Sequence, residues 1–335
     1  MKIAIVGAGA IGGLLGARLS RAGEDVTFIA RNKNLAAIQA NGFKLVLEDG
    51  TEELAPDAKA VLSMQEAGPQ DVVFLTVKAH QVSDLLPDLL HMVSENTILV
   101  TMINGIPWWY FQRYSGPNAG TVLNSVDPGG RIAGQIDPDC IVGSIVYPAA
   151  ELIAPGVVRV IEGNRFTLGE LDGNRSERID TLSRVMIRAG FKAPVTKDIR
   201  GEIWLKLWGN LSFNPISALS HATLEGICTF APSRELAANM MREAQTVAEK
   251  LGVTFKVSLD QRIAGAQAIG AHKTSMLQDV EAGRALELNA LVGSVVELGR
   301  ITQTPTPSID AIYAVARLLA HTLESQHGRL QVAPA

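Results

Sequence analysis

The chain has 335 residues, a formal net charge of −4 and 47% hydrophobic side chains, enough apolar material for a large core and two domains. No basic run points to nucleic acid or an anionic membrane, and no apolar run reaches membrane-spanning length. Two cysteines, Cys140 and Cys228, and six histidines without zinc-ligand spacing give neither a disulfide framework nor a metal site. The expectation is a reduced, cytoplasmic protein.

The first element is the most informative. Residues 2–6, Lys-Ile-Ala-Ile-Val, read as a buried strand rather than a cleaved leader, and they run directly into Gly7-Ala8-Gly9-Ala10-Ile11-Gly12. Helical sequence follows from Leu14 to Arg21, then a second strand over 25–29. This order predicts a dinucleotide-binding turn. Gly7 permits the tight turn, Gly9 lets the backbone approach a pyrophosphate, and Gly12 lets helix and strand close on each other. The anion then faces the free N–H groups of the helix N-terminus. The second strand ends Ile29-Ala30-Arg31-Asn32-Lys33, with no acid at its tip. An NAD site usually places Asp or Glu there for the ribose hydroxyls, whereas Arg31 can make charge-assisted bonds to a 2′-phosphate. NADP (NADPH) is the expected cofactor.

The strand pattern continues at 71–77 and 97–102, two continuous apolar runs suited to parallel strands buried on both faces, with an amphipathic helix over 82–93 between them. Residues 140–146, 156–161 and 165–168 read as strands, 176–189 as a helix closed by Gly190, and 191–195 as a last strand. From about residue 198 helical periodicity takes over, at 199–219, 233–251, 258–270, 275–299 and 308–325, with Ser258 and Gln261 spaced for a capping box and a frayed tail after about 326. The predicted fold class is α/β, with an N-terminal Rossmann-type dinucleotide-binding domain (1–197) and a C-terminal all-helical domain (198–328).

Candidate chemistry lies in both. Lys78 and Asn104 follow the third and fourth strands, at the carboxyl ends where open α/β sheets bind ligands. Lys78 reads equally as a solvated lysine, and Asn104-Gly105 alone as a turn. In the helical half, Lys206, Asn210 and Asn214 are spaced by four and share one helix face among apolar neighbours. Such a stripe is costly unless it is satisfied or used. All four tryptophans lie in two segments, Trp108-Trp109 and Trp204/Trp208, each of which also holds a candidate polar residue. Farther on, Ser275 is placed either to cap a helix or to bind a carboxylate, and Glu287 falls on the helical stretch after it.

Taken in order, Gly7 to Gly12, Arg31, Val77-Lys78, Asn104-Gly105, Lys206 with Asn210 and Asn214, and Ser275-Met-Leu-Gln-Asp279 with Glu287 resemble the ketopantoate reductase family over most of the chain. The resemblance implies NADPH-dependent reduction of a small 2-oxo acid, 2-dehydropantoate, to pantoate, a step of pantothenate and coenzyme A formation. It makes Lys206 the general acid, with Asn210, Asn214 and Ser275 on the substrate, Asn104 between substrate and cofactor, and Lys78 and Glu287 on the cofactor. Four departures leave the oxo acid open: the aromatic run Trp108-Trp109-Tyr110-Phe111, His221 in a loop without the expected asparagine, His272 where asparagine is common, and the loop Leu123–Gly129. A reductase of a different 2-oxo acid and a non-catalytic NADP-binding regulator remain alternatives. An apolar helical face fits a homodimer or burial within one chain equally.

Overall fold

The computed structural model describes residues 1–328, so the frayed tail expected after about 326 lies largely outside the described residues. The chain separates into two compact units. The first comprises residues 1–103, 108–122 and 129–199; the second takes residues 104–107 and 123–128 together with the described residues from 200 onward. A single cut at 197 does not provide for those two short segments, which leave the first unit's sequence to join the helical one.

In the first unit, β1 (Lys2–Val6), α1 (Ala10–Arg21), β2 (Asp25–Ile29), α2 (Asn32–Asn41), β3 (Phe43–Val46), β4 (Glu52–Ala55), β5 (Lys59–Val61) and α3 (Met64–Ala67) are followed by β6 (Val72–Leu75) and α4 (Val82–Leu89). Then come β7 (Ile98–Thr101), β8 (Ile141–Val146), β9 (Ala149–Ala154), β10 (Val157–Glu162), β11 (Phe166–Glu170) and α5 (Glu177–Arg188). Seven strands form the main sheet in the order β11-β8-β7-β6-β1-β2-β5. Every pairing is parallel except β11 with β8. The strand order reverses between β1 and β6, so the crevice beyond their carboxyl ends is the switch point where doubly wound sheets bind ligands. β1, β6 and β7 carry almost unbroken buried apolar runs, as strands covered on both faces require.

A second, four-stranded sheet, β4-β3-β10-β9, has no counterpart in the sequence reading. α1 lies against it through Gly13, where a Cβ would come within 2.2 Å of the Phe43 ring, and against the main sheet through Gly16, within 2.4 Å of Phe28. Phe28 and Phe43 stack with centroids 5.0 Å apart, joining the two sheets' apolar sides. The strand expected over 191–195 is reduced to two isolated bridges, Arg165 with Lys192 and Leu168 with Val195.

The second unit is helical: α6 (Ile199–Ser220), α7 (Leu224–Thr229), α8 (Ala231–Lys250), α9 (Leu259–Ala268), α10 (Ser275–Glu281), α11 (Ser294–Ile301) and α12 (Pro307–Ser325). The capping box of Ser258 and Gln261 opens α9. The Glu243 carboxylate on α8 accepts from Ser308 N and Ile309 N, at 2.9 and 3.0 Å, and so satisfies the first turn of α12. Trp208 is fully buried, donates through Nε1 to Met241 O at 2.7 Å, and packs on Phe255 with ring centroids 4.3 Å apart.

The single helix expected over 275–299 is broken. α10 ends at Glu281, Gly283 takes φ +63°, and Arg284 folds back, its N donating to Asp279 O at 2.8 Å and its Nε to Asp279 Oδ1 at 2.9 Å. The helix resumes through a π-helical turn, Asn289–Gly293, ahead of α11. Glu287 therefore stands in the break, just before the π turn, and is buried at 6% exposure.

Candidate active site

At the end of β1 the chain turns at Gly7 with φ +108°, a conformation that disfavours any side chain. Thr76, just past β6, donates from Oγ1 to Gly7 O at 2.8 Å and Val6 O at 3.0 Å, tying the turn to the neighbouring strand. Gly12 closes the other side: a Cβ there would lie 2.1 Å from Gly7 O and 2.6 Å from Thr76 Oγ1. Gly9 is the N-cap of α1 with no side-chain cap, and a Cβ built on it meets nothing within 4 Å. The turn thus leaves open space over uncapped helix N–H groups, the shape a pyrophosphate requires.

Asn34, on α2, was missed. Its Nδ2 donates to Ala8 O at 2.5 Å and its Oδ1 accepts from Gly156 N at 2.7 Å, so one amide pins the glycine turn to the β9–β10 hairpin. Only its position three residues after Arg31 hinted at this. Arg31 is exposed at the N-cap of α2, directly beyond β2, and its own side chain caps nothing. Lys78 follows β6 and heads a short 3-10 turn, its N donating to Gln81 Oε1 at 3.0 Å.

The second unit assembles the other candidates. Lys206 on α6 donates from Nζ to Asn104 Oδ1 at 2.6 Å. Asn104 is held by its neighbours: Gly105 takes φ +87°, and Ile106 N donates to Ala290 O in the π turn at 2.9 Å. The approach is so close that a Cβ on Gly105 would fall 2.2 Å from Ala290 O. Desolvation lowers the Lys206 ammonium to about pKa 8, while the nearby Glu287 carboxylate acts against that shift. The break in the 275–299 stretch thus brings Glu287 to Lys206, and the π turn seats Asn104 beside them. Gly105→Ala should cost about 1–3 kcal/mol through overpacking and strained φ. Urea unfolding measures that loss, and kcat should fall with it as Asn104 shifts.

One turn and two turns along α6 from Lys206, Asn210 and Asn214 line a cavity of about 180 Å³. Phe213, Leu224, Ala266 and Ile269 supply its apolar walls, and Ser275, Thr274, His272 and Arg262 further polar groups. Thr274, not Ser275, caps α10, its Oγ1 accepting from Leu277 N at 3.2 Å. Ser275 is exposed at the cavity and its hydroxyl is not committed to the cap. Arg262 was not singled out from sequence.

Three of the four sequence departures lie off this cavity. Trp108, Trp109, Tyr110 and Phe111 are buried, at 4%, 2%, 0% and 0% exposure, and belong to the first unit. Trp109 donates to Thr101 Oγ1 at 2.9 Å. They are core and line no part of the cavity. His221 is exposed with φ +58°, turning the chain out of α6. His272 does line the cavity. In the loop 123–128, Asn124 N and Ser125 N each donate to the Glu297 carboxylate of α11 at 2.8 Å.

The open turn at Gly9 fits a dinucleotide, and a lysine of lowered pKa held by an amide oxygen is a group able to donate a proton. The class is a dinucleotide-dependent carbonyl reductase. The family described as Ketopantoate reductase PanE/ApbA matches residues 3–107, and Ketopantoate reductase PanE/ApbA C terminal matches residues 198–320. The chain is 53% identical over 96% of its length to the 2-dehydropantoate 2-reductase of Mesorhizobium japonicum, of which it covers 98%. The crystal structure of 2-dehydropantoate 2-reductase from Geobacter metallireducens superposes with TM-score 0.84 at 27% identity, over 95% of this chain and 99% of that one. A ternary structure of D-mandelate dehydrogenase with NADH and anilino(oxo)acetate shares the fold, with TM-score 0.82 at 22% identity over 97% of this chain and all of that one. The chain belongs to the ketopantoate reductase family, nicotinamide-dinucleotide-dependent oxidoreductases acting on CH–OH groups. Among the described residues no helix is long and apolar enough to cross a membrane.

Proposed function

We propose that the protein reduces 2-dehydropantoate to pantoate with NADPH, the reductive step of pantothenate and coenzyme A formation. The observation that carries this reading is the Lys206 Nζ to Asn104 Oδ1 bond beside Glu287, in a chain 53% identical to a 2-dehydropantoate 2-reductase. The open space at Gly9 and the uncapped start of α1 fit a dinucleotide. Residues 7–12 would hold its pyrophosphate, Arg31 its 2′-phosphate, Lys78 its adenosine end, and Glu287 and Asn104 the nicotinamide side. When bound, the reduced nicotinamide supplies the hydride to the C2 carbonyl carbon.

The chain's own residues do the rest. Lys206 Nζ gives its proton to the carbonyl oxygen as negative charge develops there, and its cation stabilises that charge. Asn104 aims the ammonium, Glu287 keeps it protonated near neutral pH, and Asn210, Asn214 and Ser275 hold the substrate's hydroxyl and carboxylate. Solvent returns a proton to Lys206 after turnover. The reading includes a reducing, cytoplasmic setting, supported by the buried unpaired Cys140 and Cys228. It also includes a homodimer, supported by Val315 and Leu318 exposed on α12; light scattering measures the mass.

NADPH oxidation across a panel of 2-oxo acids tests the function. We expect the highest kcat/KM for 2-dehydropantoate. A higher value for another 2-oxo acid would replace the substrate, and NADPH binding without turnover of any panel member would replace the enzyme reading.

A further inference from the structure

The π turn Asn289–Gly293 leads directly into α11, and single π turns of this kind are frequent at functional sites. Its effect is on one carbonyl, that of Ala290. In an α-helix the backbone N–H of Ser294 would reach Ala290 O, four residues back. It donates instead to Asn289 O, five residues back. Ala290 O is thereby turned out of the helix ladder and takes other donors. Ile106 N reaches it at 2.9 Å from the segment 104–107, and the fully buried Ser294 hydroxyl at 2.8 Å from within the helix.

A serine that bonds the carbonyl four residues back is common in helices. Ser294 differs in that the carbonyl it holds also anchors the segment carrying Asn104. The packing there leaves no slack, because a Cβ on Gly105 would fall 2.2 Å from Ala290 O. Asn104, next to Gly105, accepts from Lys206 Nζ at 2.6 Å. A shift of the Ala290 carbonyl is therefore carried to the proton donor.

The turn is also braced from α12. Tyr313 OH donates to Asn289 Oδ1 at 2.8 Å, and Gly293 makes room for it: a Cβ there would lie 2.6 Å from the hydroxyl oxygen. One hydroxyl thus touches both ends of the π turn. The proposed reaction uses Lys206, Asn104 and Glu287, and gives no part to Ser294 or Tyr313.

We propose that Ser294 and Tyr313 are positioning residues, holding the π turn in the shape in which Ala290 O fixes Asn104 against Lys206. The inference rests on the reductase reading above for the reaction it serves.

The experiment compares wild type, Ser294→Ala, Tyr313→Phe and Thr302→Val. Thr302 is the control: its Oγ1 donates to Leu298 O at 2.9 Å, the same four-back bond at the end of α11, while the segment 104–107 bonds Ala290 rather than Leu298. In Ser294→Ala we expect kcat for 2-dehydropantoate to fall about tenfold, the worth of one hydrogen bond, with KM within about twofold of wild type. Tyr313→Phe should lower kcat by a smaller factor, and Thr302→Val should leave it unchanged. The second readout is NMR titration of the Lys206 ammonium in protein with isotopically labelled lysine side chains, assigned with Lys206→Arg. The Asn104 bond favours the charged amine, so the midpoint should lie lower in Ser294→Ala and Tyr313→Phe than in wild type. Glu287, the charged neighbour, is kept in every variant. A loss of folding stability alone would not move this midpoint. Wild-type kcat and midpoint in Ser294→Ala would overturn the proposal, as would equal changes in Thr302→Val. Wild-type values in Tyr313→Phe alone would overturn the part given to Tyr313. If no 2-oxo acid is turned over, the reductase reading fails and the titration still decides: a lowered midpoint in Ser294→Ala supports the positioning role, and an unmoved or raised one removes it.

Discussion

Lys206→Ala should lower kcat for 2-dehydropantoate reduction by about 10²–10⁴-fold, the usual contribution of a positioned proton donor, while the dissociation constant for NADPH stays within a few-fold of wild type. The split follows from location: the lysine sits on α6 of the second unit and bonds Asn104, whereas the glycine turn belongs to the first. Stopped-flow reduction and fluorescence titration of NADPH measure the two quantities. A lysine lowered to about 8 also predicts a pH profile. With Lys206 in the proposed role of proton donor, reduction needs its protonated form, so kcat/KM should hold at lower pH and fall tenfold per unit as pH rises above about 8. The Glu287 carboxylate favours the ammonium, so Glu287→Gln should move this limb to lower pH. An unmoved limb would mean that another group controls it.

Arg31→Ala should weaken NADPH by about ten- to a hundredfold, the worth of one or more charge-assisted bonds to phosphate, and leave NADH nearly unchanged. The residue stands exposed beyond the carboxyl end of β2, where the strand tip carries no acid to bind a free ribose. Loss of affinity for both cofactors in parallel would place Arg31 away from the 2′-phosphate. Binding of each cofactor by tryptophan quenching reads the result without turnover.

The dinucleotide half of this account was legible because its signal is local. β1, the glycines and α1 occur within about twenty residues, and each glycine has a separate steric duty visible in the sequence order. The second sheet was not legible for the opposite reason. β3 and β10 are four- and six-residue strands of mixed burial, paired across more than a hundred residues, and nothing in either segment announces the other. The break before Glu287 was hidden by periodicity. The apolar spacing carries on through residues 282–288, while the turn depends on Gly283 and on Arg284 returning to Asp279. Arg262 was hidden by its type: an arginine early in a helix reads as surface, and only Gly209, on another helix, reveals the space made for it. The aromatic run at 108–111 misled in the other direction, since residues unusual in sequence turned out to be core.

The central claim is that this chain delivers hydride from NADPH to the C2 carbonyl carbon of 2-dehydropantoate. Incubation with 2-dehydropantoate and NADPH deuterated at both C4 positions, followed by mass spectrometry of the product, tests it most directly. The account predicts pantoate carrying a single deuterium at C2, with formation nearly abolished in Lys206→Ala. Pantoate without the label, or no pantoate from a protein that binds NADPH, would contradict it.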